Sequence, residues 1–128
     1  DLLKRYGYKF ILLGLCLSMG LALIVYPLTP IYFGDGYESA SLILLMMSPV
    51  PFFVSIGVVF GQWWLIPCNK SSFIRKTYIF VGIIHVFLCL ISIKFIDVFG
   101  IVLALVLTEF LASFFFVFKS FYKVKLYN

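Results

Sequence analysis

The sequence predicts an all-α polytopic membrane protein with four transmembrane helices and both termini on the cytoplasmic side. Of its 128 residues, 64% are hydrophobic and 12% are charged, whereas about 25% of the residues of a soluble domain are charged. The mean hydropathy is +1.17. Four apolar runs are long enough to cross a bilayer as helices. Basic residues cluster in alternate connecting segments, as expected when those segments share one side of a membrane.

The predicted spans form a single transmembrane domain over residues 1–128. They cover approximately residues 10–26, 39–66, 78–93 and 98–118. Two prolines and two glycines in residues 27–38 mark the first break between spans. The first helix could still continue unevenly through Pro27 and Pro30, because membrane helices tolerate proline.

The second span contains Pro49 and Pro51, which predict a bend near residues 48–52. This bend is either a hinge for transport or a fixed kink, and the sequence leaves both interpretations open. Further along the same span, Gly57 and Gly61 form a GxxxG pair, which favours close helix packing.

The distribution of lysine and arginine predicts the orientation. With four spans, the N-terminal segment, the loop at residues 67–77 and the C-terminal segment lie on the same side. Each holds three of the ten basic residues, and the remaining one, Lys94, lies opposite. Because short cytoplasmic segments carry the excess of basic residues, all three segments are predicted to be cytoplasmic and in contact with membrane lipids.

Glu109 lies near the middle of the last apolar run, where an exposed carboxylate is costly. Its functional interpretation is a substrate-path or proton site, or a charge-compensating group in a transport path. The alternatives are a protonated, hydrogen-bonded packing residue and a residue that faces a helix outside this chain. His85 is predicted at a similar depth on the preceding span, since the two lie about equally far from the turn at residues 94–97. Depth alone does not establish that they face each other, and His85 could equally bond a backbone carbonyl.

A stripe of small residues runs along the last span at every fourth position: Gly100, Ala104, Thr108 and Ala112. Such a stripe predicts a helix-packing face. Glu109 lies about 100° around the helix from Thr108, so it is expected beside the packing seam, lining a cavity.

Motifs for enzymatic, metal or cofactor chemistry are not found in the sequence. The three cysteines form no CxxC pair, there is one histidine, and nucleotide-binding and hydrolase motifs are missing. We therefore predict no catalytic residues, no metal site and no cofactor. The membrane explains the net charge of +5, so no nucleic-acid partner is expected.

The run from Pro27 to Pro67 resembles the bacterial polysaccharide flippases of the O-antigen (Wzx) type, in the MATE-like superfamily of multidrug, oligosaccharidyl-lipid and polysaccharide transporters. The resemblance is carried by a Phe-Gly turn followed by Tyr and Ala, and by Lys70 before the next span. It extends to the segment Phe99 to Phe110, FGIVLALVLTEF.

That resemblance implies a bacterial inner-membrane transporter with about twelve spans in two lobes. It would flip undecaprenyl-pyrophosphate-linked repeat units for O-antigen, lipopolysaccharide or other polysaccharide biosynthesis. The chain would correspond to the last four helices, as a C-terminal fragment whose N-terminal lobe or oligomer partners are missing. The alternatives are a small four-span oligomeric transporter, similar to bactoprenol-linked glucose flippases or multidrug exporters, and a membrane anchor or assembly subunit without transport activity.

Overall fold

The computed structural model describes the backbone of residues 2–34 and 36–124, and their side chains except those of residues 2–4, 26 and 123–124. Residues 1, 35 and 125–128 of the predicted domain lie outside this part. The described residues form helices without strands: α1 (Leu2–Phe33), α2 (Glu38–Met47), α3 (Val50–Gly57), a π-helix (Val58–Leu65), α4 (Ser71–Ile96) and α5 (Val98–Val124).

Within residues 2–34 and 36–124, four segments are long and apolar enough to cross a membrane: Arg5–Val25, Glu38–Leu65, Ser71–Ile96 and Val98–Tyr122. The predicted all-α fold class with four transmembrane helices is therefore confirmed. The orientation of the termini stays a prediction.

Helix α1 continues to Phe33 and includes both Pro27 and Pro30, beyond the span predicted at residues 10–26. Glycines, not these prolines, mark its end. Gly34 has φ +77° and Gly36 has φ +101°, a backbone region that L side chains rarely adopt. The amide of Gly34 donates to the carbonyl of Pro30 at 3.0 Å and completes the last helical turn.

The second span consists of three helical pieces. Helix α2 ends before a turn at Ser48 and Pro49, and α3 follows from Val50. This interruption lies within the predicted bend at residues 48–52. After α3 the backbone changes to a π-helix, a rare geometry in which each amide bonds five residues back.

Helix α5 is the element around which the second span and α4 pack. It contacts α2, α3, the π-helix and α4, whereas α1 packs on the second span through α2, α3 and the π-helix. The buried apolar core lies where the π-helix, α4 and α5 meet: Leu65, Ile74, Val81, Ala112 and Phe116. Leu65 and Phe116 have no exposed surface, so they fix the distance between these helices.

Helices α4 and α5 form an antiparallel hairpin joined by the single residue Asp97, whose φ is +59°. The amide of Gly100 donates to the carbonyl of Asp97 at 3.1 Å. This tight connection sets the relative position of the two helices and therefore of the side chains between them.

Candidate functional site

A groove of about 210 Å³ lies between α4 and α5. One face of each helix lines it, because the lining residues recur at three- and four-residue steps. They are Tyr78, Val81, Gly82 and His85 from α4, and Leu105, Thr108, Glu109 and Ala112 from α5. Both candidate path residues, His85 and Glu109, therefore line the same groove.

His85 bonds Thr108, the residue next to Glu109. The distance from Nδ1 of His85 to Oγ1 of Thr108 is 3.2 Å. The Thr108 oxygen also lies 2.9 Å from the carbonyl oxygens of Ala104 and Leu105, to which its proton can be donated. Carbonyls only accept, so the arrangement is satisfied when the hydroxyl donates to them and Nδ1–H donates to the hydroxyl.

The other ring nitrogen of His85 also has a partner. Sγ of Cys89, one turn along α4, lies 3.5 Å from Nε2. With the proton on Nδ1, Nε2 is an acceptor and the thiol is its donor. The sequence signal for this contact is the i, i+4 spacing of His85 and Cys89 on one helix.

Glu109 is half-buried in the groove. Among the residues that the structure describes, the two ring nitrogens of His85 are hydrogen-bonded to Thr108 and Cys89, not to the Glu109 carboxylate. The predicted pair thus shares a groove and a depth, but the direct contact of the histidine is with the neighbouring threonine.

Gly57 and Gly61 lie against α5. A Cβ atom on Gly57 would be 3.4 Å from Oγ of Ser113, and one on Gly61 would be 3.0 Å from Cδ2 of Phe116. Ser113 adds a hydrogen bond across this contact, since its Oγ donates to the carbonyl of Phe53 at 2.6 Å. The GxxxG pair thus lets the second span approach α5 closely.

Gly100 and Ala104 lie on the side of α5 that packs against α4. Ala104 is 1% exposed. A Cβ atom on Gly100 would come within 2.5 Å of Cβ and 2.9 Å of the carbonyl oxygen of Ser92 in α4. This contact brings the hairpin helices together at one end, and Glu109 lies beside the same seam.

A further contact, between α1 and α3, was missed by sequence reasoning. Gly14 of α1 lies against Ser55 of α3. A Cβ atom added to Gly14 would be only 2.6 Å from the Cβ atom of Ser55. Four residues on, Oγ of Ser18 accepts a bond from the amide of Phe52 at 3.0 Å. The sequence signal for this contact is a pair of small residues four positions apart, Gly14 and Ser18, within the apolar run of α1.

That bond is next to the hinge candidates Pro49 and Pro51. The Phe52 amide also donates to the carbonyl of Pro49 at 3.1 Å. Ser18 of α1 is therefore attached to the backbone immediately after the interruption in the second span. Whether the prolines form a hinge stays a prediction.

A larger groove of about 360 Å³ runs along α1. It is lined by Cys16, Leu17, Gly20, Leu21, Ile24, Val25, Leu28, Thr29, Tyr32 and Phe33 of α1, with Leu44 of α2. Its one threonine donates from Oγ1 to the carbonyl of Val25 at 2.6 Å, so the groove presents an almost wholly apolar surface.

Within residues 2–34 and 36–124, no three His, Cys, Asp or Glu side chains are grouped closely enough to hold a metal ion. The cysteines Cys16, Cys68 and Cys89 are free thiols.

Two curated proteins are similar to this chain, and each is named "Putative O-antigen transporter". The protein of Shigella dysenteriae is 31% identical over 107 residues, which is 84% of this chain and 27% of the relative. That of Escherichia coli K12 is 28% identical over 112 residues, 88% of this chain and again 27% of the relative. The chain thus spans about a quarter of the length of these relatives. No family model and no solved structure matches it.

Proposed function

Because this chain is a relative of proteins named as O-antigen transporters, we propose that it forms four helices of a larger transporter for O-antigen or related polysaccharide units. The observation that carries the proposal is the 31% identity over 84% of the chain. Four helices able to span a membrane fit a multi-pass transporter, and we place it in the bacterial inner membrane.

The proposed substrate is a sugar repeat unit linked to undecaprenyl pyrophosphate, flipped from the inner to the outer leaflet. A pyrophosphate needs cations, but the described Lys and Arg side chains lie near the ends of the spans, at Arg5, Lys9, Lys70, Arg75, Lys76, Lys94 and Lys119. Deep cationic contacts are therefore assigned to parts of the transporter outside these helices.

The coverage of the relatives favours a large transporter over a small four-span one. Both relatives align with this chain over 27% of their length. We propose that the remaining helices supply the rest of the transport path, with the lipid-linked oligosaccharide as the partner of the whole protein.

Deletion and complementation in the source bacterium test the proposal. Loss of the full-length gene should remove long-chain surface polysaccharide from a gel of membrane glycolipids, and a plasmid copy should restore it. Lipid-linked repeat units should accumulate on the cytoplasmic leaflet in the deleted strain. Unchanged surface polysaccharide after clean deletion would exclude this function, provided that no second transporter gene compensates.

Glu109 is the residue of the groove that we propose to affect transport most directly. In the full-length protein, Glu109→Gln should reduce surface polysaccharide relative to the amount of folded protein in the membrane. Leu107→Gln, on an exposed position of the same helix at the same depth, is the matched control. A membrane anchor without transport activity predicts no difference between the two variants.

We propose that both termini are cytoplasmic. Tyr37 lies in the connection between α1 and α2. In a full-length protein without other cysteines, Tyr37→Cys should react with a membrane-impermeant maleimide in intact spheroplasts. Ser71→Cys, at the start of α4, should react only after permeabilisation. Both positions are exposed, so accessibility reports the side of the membrane. The reverse pattern would overturn the orientation.

A further inference from the structure

We infer that the α4–α5 groove is a docking site for a lysine or arginine side chain from another membrane span of the full-length protein, and that this side chain pairs with Glu109. The inference rests on the proposed function only in assuming that the protein has further spans. Its first support is position. Glu109 lies eleven residues from Val98 and thirteen from Tyr122, the ends of its span, so it is near the middle of the membrane.

A carboxylate at this depth is stable only when it is neutral, hydrated or paired. Among the described side chains, the nearest basic residue along α5 is Lys119, ten residues away, or about 15 Å along the helix axis. Its Nζ lies 5.3 Å from the ring centre of Phe73, so it already has a cation–π partner. Lys94 lies beyond the other end of the groove, two residues before the end of α4.

The hydrogen bonds of the histidine in the groove go to residues other than Glu109. Nδ1 of His85 is bonded to Thr108, and Nε2 accepts from Cys89. The described partners of both ring nitrogens are thus Thr108 and Cys89, and we assign the cation that pairs with Glu109 to another span.

The groove suits a long basic side chain. Val81, Leu105 and Ala112 offer apolar surface to an aliphatic stem, which Lys and Arg bury readily while the charged end reaches a polar partner. The ring of Tyr78, packed edge-on against Phe116 with centroids 5.2 Å apart, provides an aromatic wall for a cation. Beside Gly82, a Cβ atom would meet nothing within 4 Å, so the approach to the groove is open.

Charge reversal in the full-length protein tests the inference. Glu109→Lys should cause a several-fold loss of folded protein after detergent extraction, measured by size-exclusion chromatography. Each Lys or Arg in the other spans is then changed to Glu, alone and combined with Glu109→Lys. One of these changes should be damaging alone and should restore folded protein in the combination.

Leu107→Lys is the matched control, because it places the same charge at the same depth on the exposed side of α5. The change that restores Glu109→Lys should not restore Leu107→Lys. If no position gives reciprocal restoration, the docking site is refuted. The docking site is also refuted if Glu109→Gln leaves the folded yield unchanged and lowers only transport. That result would indicate that Glu109 binds a proton or a metal cation instead.

Folded yield and surface polysaccharide are scored separately. Reciprocal restoration of yield without any effect on polysaccharide would support the pairing and count against the proposed function. Loss of polysaccharide without reciprocal restoration of folded yield would refute the pairing and support the proposed function.

Discussion

Gly14→Ala should destabilise the contact between α1 and the second span. The added Cβ would lie 2.6 Å from Cβ of Ser55 and 3.0 Å from the carbonyl oxygen of Pro51. Neither atom can yield easily. The Ser55 hydroxyl donates to the carbonyl of Phe52 at 2.7 Å, and Pro51 belongs to a backbone constrained by its ring.

The expected magnitude follows from the two opposing effects of an alanine in a helix. Overpacking at a tight contact costs about 1–3 kcal/mol. Replacing a glycine inside a helix gains about 0.5–1 kcal/mol through reduced backbone freedom. Gly20→Ala isolates the second effect, because a Cβ there would meet nothing within 4 Å on the same helix.

The assay is unfolding of the full-length protein in mixed micelles with increasing SDS, followed by tryptophan fluorescence. Gly14→Ala should unfold at a lower SDS fraction than wild type, and Gly20→Ala at the same or a higher one. Equal midpoints for the two variants would refute the reasoning, since they would show that the α1–α3 contact has room for a methyl group.

Variants at three further positions test other contacts in the same assay. Gly100→Ala should lose about 1–3 kcal/mol, because its Cβ would overlap Ser92; wild-type stability would contradict this. Thr108→Val should lose about 1–3 kcal/mol by leaving Nδ1–H of His85 without its acceptor, whereas Thr108→Ser should retain most stability, and equal losses would count against the hydrogen bond. Asp97→Gly should gain about 1 kcal/mol by relieving a φ of +59°, and a loss would show that the aspartate side chain stabilises the turn.

Hydropathy was enough to predict the four helices, whereas the relationship to O-antigen transporters was predicted from a resemblance to that family. A run of apolar residues cannot be exposed to water over its whole surface, so its membrane location follows from composition. The position of a helix end depends on finer detail. Pro27 and Pro30 indicated a break, yet α1 continues to Phe33, because glycines with positive φ follow it and the membrane setting tolerates proline.

The sequence predicted the depth of the candidate groove and the packing face of α5, but not which face of α4 lies against it. Counting residues from a short turn places His85 and Glu109 at the same height, since each residue rises about 1.5 Å. The rotation of each helix about its axis depends on packing, here on Gly100 against Ser92, which turns Thr108 rather than Glu109 toward the histidine. The π-helix at Val58–Leu65 has no comparable sequence signal, because its geometry depends on how neighbouring helices hold the chain.

The one-residue connection at Asp97 has a consequence for biogenesis. Because only Asp97 separates the end of α4 from the start of α5, the connection is too short for one helix to enter the bilayer while the other remains in water. We therefore expect the translocon to release Ser71–Val124 into the lipid as a helical hairpin, in a single insertion event. In the orientation that we propose, Lys94 and Asp97 would cross the membrane together, so the tip of the hairpin would carry opposite charges rather than a lone cation.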